Sequence, residues 1–257
     1  MANDDIIRRM RSYSFYHIIQ LTDDIETPGN PSFLPIQKFT MKHLKHMDLK
    51  GKRVLDIGCR DGLFSFAAEQ LGAIEVIGID NNLSRAATEF LVPYFKSKVK
   101  FVEMNLYDLT PDEFGYFNVV VLSGVLYHLR YPFWALKVIR GMMQSGGRLL
   151  IETPLWEGLG KNAMLYCPIN DEGPYDSTSC SFFNKKGLID TLNSVGYDVL
   201  KIDYMQKDYK TIVRHFINRN IFRKWNLTRS IILCKINGMN NTSFDLRYWE
   251  NIHSNYG

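Results

Sequence analysis

Short apolar blocks alternate along the chain with amphipathic stretches, the pattern of strands separated by helices. The most compact block is Arg53-Val54-Leu55-Asp56-Ile57, which runs directly into Gly58-Cys59-Arg60-Asp61-Gly62. Its branched residues predict a strand buried on both faces of a parallel sheet, and residues 63–71 predict the helix that follows. A second strand, Glu75 to Asp80, precedes a helix over residues 82–95 that Pro93 kinks. Further strands are predicted at residues 99–104, 116–122, 148–153 and 230–235, with a helix opened by Pro132 after the second of these. Upstream, Ile6, Ile7, Met10, Tyr13, Phe15, Tyr16, Ile18 and Ile19 predict an amphipathic helix within residues 5–20 that runs into an extended piece. Thr27-Pro28-Gly29-Asn30-Pro31 then marks a loop, and residues 36–49 predict another helix. The alternation points to an α/β fold with a mostly parallel sheet.

The block around Gly58 has the chemistry of a ligand-binding turn. Gly58 and Gly62 let the backbone bend sharply and approach a ligand closely, and the helix behind them points free N–H groups at the same place. Asp80 ends the second strand about 20 residues after the first glycine, where a doubly wound fold sets a carboxylate on a ribose. Nicotinamide, flavin and S-adenosylmethionine folds all use such a turn. Here Asp56 stands two residues before Gly58, and the three-glycine run that accepts a pyrophosphate is missing. This pattern resembles motif I of the class I S-adenosylmethionine-dependent methyltransferases, hydrophobic-Asp-x-Gly-x-Gly-x-Gly, and the likeness extends over roughly residues 50–203.

The resemblance implies a doubly wound, Rossmann-like, mostly parallel seven-stranded sheet with helices on both faces, and S-adenosylmethionine as cofactor. It places cofactor contacts at Asp56, Gly58, Cys59, Arg60, Gly62, Asp80, Asn81, Asn105, Leu106 and Ser123. Arg60 stands where the family has its middle glycine, so its side chain either crowds the cofactor's amino-acid end or points to solvent. Asn105 either meets the adenine amino group or caps a turn. Tyr116-Phe117-Asn118-Val119 resembles the fourth strand, with Asn118 in place of its acid, and Gly146-Gly147 before a strand and Gly196-Tyr197 before another are further likenesses. Ser123-Gly124 would line the methionine portion, while Tyr127 and His128 would face the substrate as candidate catalytic residues. A hydroxyl acceptor requires a base, and His128 is the side chain of that stretch able to take a proton near neutral pH; contact without proton transfer and a packing role are the alternatives.

The run from Gly124 to Pro132 and the Glu152-Thr153 strand ending look most like the tRNA wobble-uridine carboxymethyltransferase branch. A longer, more basic N-terminal portion expected of that branch is not in this sequence. The leading expectation is therefore methylation of a small-molecule or sugar hydroxyl, with tRNA as the runner-up acceptor. A reading of another class is an inactive cofactor-binding scaffold, for which the departures at Arg60 and Asn118 speak.

Composition adds boundaries rather than chemistry. The 257 residues, 46% of them hydrophobic, suffice for one good core with short additions. They divide into an N-terminal cap or lid (1–49), a methyltransferase domain (50–236) and a tail (237–257). The domain carries an insertion at 154–181, rich in Gly, Pro and aromatics, that would cover the acceptor, and a basic amphipathic helix at 209–225. From Lys201 onward ten Lys and Arg face four Asp and Glu, so the net +4 is concentrated at the end of the chain. Cys59, Cys167, Cys180 and Cys234 have no metal-ligand spacing, so neither a metal nor a disulfide is expected. No apolar run is long enough to span a membrane, and the polar start points to the cytoplasm.

Overall fold

A computed structural model describes residues 3–157, 161–175, 178–206 and 227–237. In chain order these form α1 (Asn3–Met10), α2 (Leu34–Leu44), β1 (Arg53–Ile57), α3 (Leu63–Gln70), β2 (Glu75–Asp80), α4 (Val92–Phe95), β3 (Lys100–Glu103), α5 (Pro111–Phe114), β4 (Phe117–Ser123), α6 (Pro132–Gly141), β5 (Met143–Trp156), β6 (Leu165–Tyr166), β7 (Phe182–Phe183), α7 (Lys185–Ser194), β8 (Tyr197–Tyr204) and β9 (Leu227–Ile236). Seven strands make one sheet in the order β3-β2-β1-β4-β5-β9-β8. The first five are parallel, and β9 inserts antiparallel between β5 and β8.

Period-two alternation divides the core between the sheet's two faces. Leu55, Ile57, Val120 and Leu122 pack with Leu136 and Ile139 of α6 and Leu188 of α7. Val54, Val76, Val119 and Val121 pack with Ile6 of α1, Leu44 of α2 and Phe64 and Phe66 of α3. Helices thus cover both faces, as the sequence pattern predicts. Strand order reverses at β1, whose neighbours are β2 and β4, and ligands of open α/β sheets bind beyond the strand ends at such a switch.

Several boundaries differ from expectation. The helix expected within residues 5–20 ends at Met10 and gives way to the expected extended piece, where the N–H groups of Tyr16 and His17 are taken by the Asp61 carboxylate 45 and 44 positions away. The helix expected at 82–95 is a π-helical turn, Ala86–Leu91, leading into α4 with Pro93 in its first turn; the wider turn absorbs the hydrogen bond that proline cannot donate. β5 exceeds the expected 148–153 at both ends, since Met143 pairs with Phe117 and Trp156 with Leu227. From the expected insertion, β6 pairs antiparallel with β7, which directly follows that insertion. The expected basic helix at 209–225 and the tail from 238 lie outside the described residues.

Candidate active site

The turn after β1 is built from backbone bonds. The N–H groups of Gly58 and Cys59 both donate to the Ile79 carbonyl, at 2.8 and 3.1 Å, tying the turn to the end of β2. Gly58, Arg60 and Gly62 all have left-handed backbones, with φ of 74°, 48° and 81°. Glycine is required at the first position for a second reason: a Cβ there would lie 2.2 Å from Val125 Cγ2. The turn therefore abuts the loop that follows β4.

Asp80 closes this cradle. Its Oδ2 accepts from the Arg60 N–H at 2.9 Å and its Oδ1 from the Asn82 N–H at 2.8 Å, which fixes the carboxylate at the mouth of the β1 turn with lone pairs to spare. The Arg60 guanidinium bonds to the Asn82 carbonyl on the exposed rim. Asn81 is exposed beside it. Asp56 lies beneath the turn, wholly buried, and accepts the Ser65 hydroxyl at 2.6 Å; burial pushes its carboxyl up to about 7. Cys59 is buried too, and burial pushes its thiol well above the usual range. At the end of β3, Asn105 is exposed and its Oδ1 accepts from the Tyr107 N–H, capping a 3-10 turn that buries Leu106. That turn-capping alternative is the arrangement seen.

Beyond Ser123 and Gly124 opens a cavity of about 420 Å³ whose lining includes Tyr16, His17, Tyr127, His128, Glu152 and Arg229. Parallel register sets Glu152 beside Ser123, and antiparallel β9 sets Arg229 opposite Pro154, two residues along β5 from Glu152. Arg229 Nε and Nη2 donate to the two Glu152 oxygens at 2.7 and 2.5 Å. Burial pushes the Glu152 carboxyl up while Arg229 pulls it back; a fork-to-fork contact this short is an ionised pair. The same guanidinium stacks 5.0 Å over the Tyr127 ring. Burial pushes the Tyr16 phenol up to about 12 and raises that of Tyr127.

The insertion closes this wall. Cys180 and Ser181 donate their N–H groups to the Tyr127 carbonyl, and Tyr175 and Ser179 line the cavity. His128 Nδ1 lies 3.0 Å from the Thr178 hydroxyl and 3.1 Å from its carbonyl. The N-terminal segment forms the remaining side, held by Asp61, and Thr40 Oγ1 of α2 reaches Ser123 Oγ at 3.3 Å. Asp61, Tyr16, Glu152 and Arg229 had drawn no site expectation. The available signal was a lone arginine heading an apolar strand and a glutamate ending another, which become partners only through β9's insertion. A larger groove of about 500 Å³, lined by Trp156, Lys185 and Tyr204 among others, includes neither the β1 turn nor the end of β4. Among the described residues no cluster of three metal-ligating side chains occurs, and no helix is long and apolar enough to cross a membrane.

A methyltransferase-domain family matches residues 34–202. Among curated relatives, a tRNA U34 carboxymethyltransferase of Campylobacter hominis is 36% identical over 113 residues, covering 44% of this chain and 39% of that protein. A protein of the same name from Pseudomonas paraeruginosa is 34% identical over 119 residues, covering 44% of this chain and 35% of that protein. The matched stretch is thus under two-fifths of either relative. Among solved structures, the N-terminal domain of EvdMO1 with S-adenosylhomocysteine bound has a TM-score of 0.63 at 16% identity, over 92% of this chain and 98% of that one, and the same domain is known in the presence of S-adenosylhomocysteine and D-fucose.

Proposed function

We propose the following for a chain that belongs to the methyltransferase-domain family: it binds S-adenosylmethionine over the cradle between Gly58 and Asp80 and methylates a hydroxyl of a small molecule or sugar held in the neighbouring cavity. The cradle fits that cofactor. The Asp80 carboxylate is anchored by two backbone N–H groups and keeps acceptor capacity for a ribose diol, and at Gly58 there is no side chain to hold the ligand off the backbone. Arg60 lies on the rim, bonded to Asn82. When bound, the cofactor supplies an electrophilic methyl group. The protein's own part is to align the acceptor with that methyl and to exclude water.

The observation that carries the reading is the contact between the two halves: the β1 turn meets Val125, and the cavity begins at Gly124, one residue away. Tyr127 and His128 would touch the acceptor there. A second reading, transfer of a carboxymethyl group to a wobble uridine, is favoured by the names of the sequence relatives. Radiolabelled methyl transfer from S-adenosylmethionine to a panel of hydroxylated small molecules, deoxyhexoses first, and to unmodified tRNA decides between them. Label in small molecules alone supports the first reading. Label confined to tRNA, or turnover only with a carboxylated cofactor, replaces it with the second.

A further inference from the structure

His17 belongs to the cavity wall. It is buried, its Nδ1 has no hydrogen-bond partner, and that nitrogen lies 3.7 Å from Asp61 Oδ2. Asp61 is itself 1% exposed and is locked in place, since the same oxygen accepts the N–H groups of Tyr16 and His17 at 2.5 and 2.7 Å. A lone pair on Nδ1 would face a carboxylate oxygen 3.7 Å away. The proton therefore belongs on Nδ1, and the lone pair on Nε2. Because Nδ1 is sealed, Nε2 is the nitrogen open to a ligand in the cavity that His17 lines. A carboxylate, an imidazole oriented by it and a cavity in front form the arrangement that makes a general base.

We propose that His17, oriented by Asp61, takes the proton of the acceptor hydroxyl. This rests on the methyltransferase reading and deepens it, since such a base is needed for a hydroxyl. The hydroxyl proton passes to His17 Nε2 as its oxygen bonds the methyl carbon, and the electron pair of the breaking carbon–sulfur bond stays on sulfur. The positive charge that leaves the sulfonium reappears on the imidazolium, beside the Asp61 carboxylate. Burial holds His17 down to about 4, Asp61 works against that and Arg60 adds to it, so the ring is neutral at pH 7, and the basicity it needs at the moment of transfer comes from the Asp61 carboxylate beside it. The other charged and titratable groups lining the same cavity are Tyr16, Tyr127, His128, Tyr175, Glu152 and Arg229, the last two neutralising each other. His128, the other imidazole of the cavity, is tied through Nδ1 to Thr178, a neutral partner. That contact suits it to positioning the acceptor.

The test is nitrogen NMR of histidine-labelled protein loaded with S-adenosylhomocysteine at pH 7, with His17→Gln assigning the ring. The expected state is a neutral His17 with its proton on Nδ1, and a shift toward the other tautomer in Asp61→Asn. An imidazolium, or a proton on Nε2 in the wild type, overturns the proposal. Diethyl pyrocarbonate, which acylates unprotonated imidazole nitrogens, provides a second reading by peptide mass spectrometry. His17 is expected to react along with the exposed His46, and an inert His17 beside a modified His46 counts against a cavity-facing lone pair. With an acceptor from the screen above, His17→Gln lowers single-turnover transfer by roughly 10²-fold or more at unchanged cofactor affinity, and loss of rate only in His128→Gln contradicts the assignment. Calorimetry with S-adenosylhomocysteine runs alongside. Absence of binding to the folded wild type removes the methyltransferase reading itself, whereas binding with the wrong tautomer removes only this inference.

Discussion

The wall of the cleft made by residues 56–82 and the wall facing it are built by different means. The first is one strand-turn-helix-strand unit, held by N–H bonds to the Ile79 carbonyl and to the Asp80 carboxylate. The second is assembled from the N-terminal segment, the loop after β4, the ends of β5 and β9 and the insertion, and contacts between residues far apart in the chain hold it, several through side chains: Asp61 on the N-terminal segment, Arg229 on Glu152 across 77 positions, Thr178 on His128. The groups that fix the first wall lie within one short stretch of chain, so it suits a ligand that stays the same. Side-chain assembly lets the second wall be changed residue by residue, which is what recognition of a particular acceptor needs.

The largest test of that contrast is Arg229→Ala. It leaves the Glu152 carboxylate buried without its partner, for which a loss of about 3–5 kcal/mol in unfolding free energy is expected. Denaturant unfolding measures it, and a loss below about 1 kcal/mol would mean that the pair does not hold the second wall.

A pH series sharpens the comparison, because each wall contains one buried group displaced in the opposite sense. His17 is held at about 4, below its ordinary value, so the unfolded chain binds more protons between about 4 and 6.5 and stability rises with pH across that window. Asp56 is held at about 7, so the native state binds more protons between about 4 and 7 and its contribution falls as pH rises. Relative to wild type, His17→Gln should gain ~3 kcal/mol as pH drops through the window, and Asp56→Asn should gain ~4 kcal/mol as pH climbs through its own. Parallel curves for wild type and both variants would show that neither group is displaced.

The smallest effect expected is that of Arg60→Gly. A non-glycine residue in left-handed backbone costs about 1 kcal/mol, and glycine relieves this while loosening the unfolded chain by a similar amount. Stability and cofactor affinity should both change by under ~1 kcal/mol. A tenfold or greater gain in affinity would show that the arginine obstructs the cradle.

What could be seen in the sequence follows the same division. The β1 turn, the carboxylate at Asp80 and the two-faced sheet were legible because their determinants lie within a few residues of each other or repeat with period two. Asn105 was legible as one of two roles, and its bond to Tyr107 realises the turn-capping one. Asp61 was not, since its partners are the N–H groups of Tyr16 and His17, and backbone donors leave no mark in sequence. Neither were Glu152 and Arg229 as a pair, because they meet only through the antiparallel insertion of β9 between β5 and β8. The point at which the first helix gives way to extended chain was not legible either: local periodicity cannot show that a distant carboxylate claims the N–H groups of Tyr16 and His17.

The most direct test of the central claim is calorimetric titration of the wild type and Asp80→Ala with S-adenosylhomocysteine. The account predicts binding by the wild type and a loss of about 10–100-fold in the variant, the worth of hydrogen bonds to a charged group, with the fold intact by circular dichroism. No heat from a folded wild type, or equal affinity in the two proteins, would contradict it.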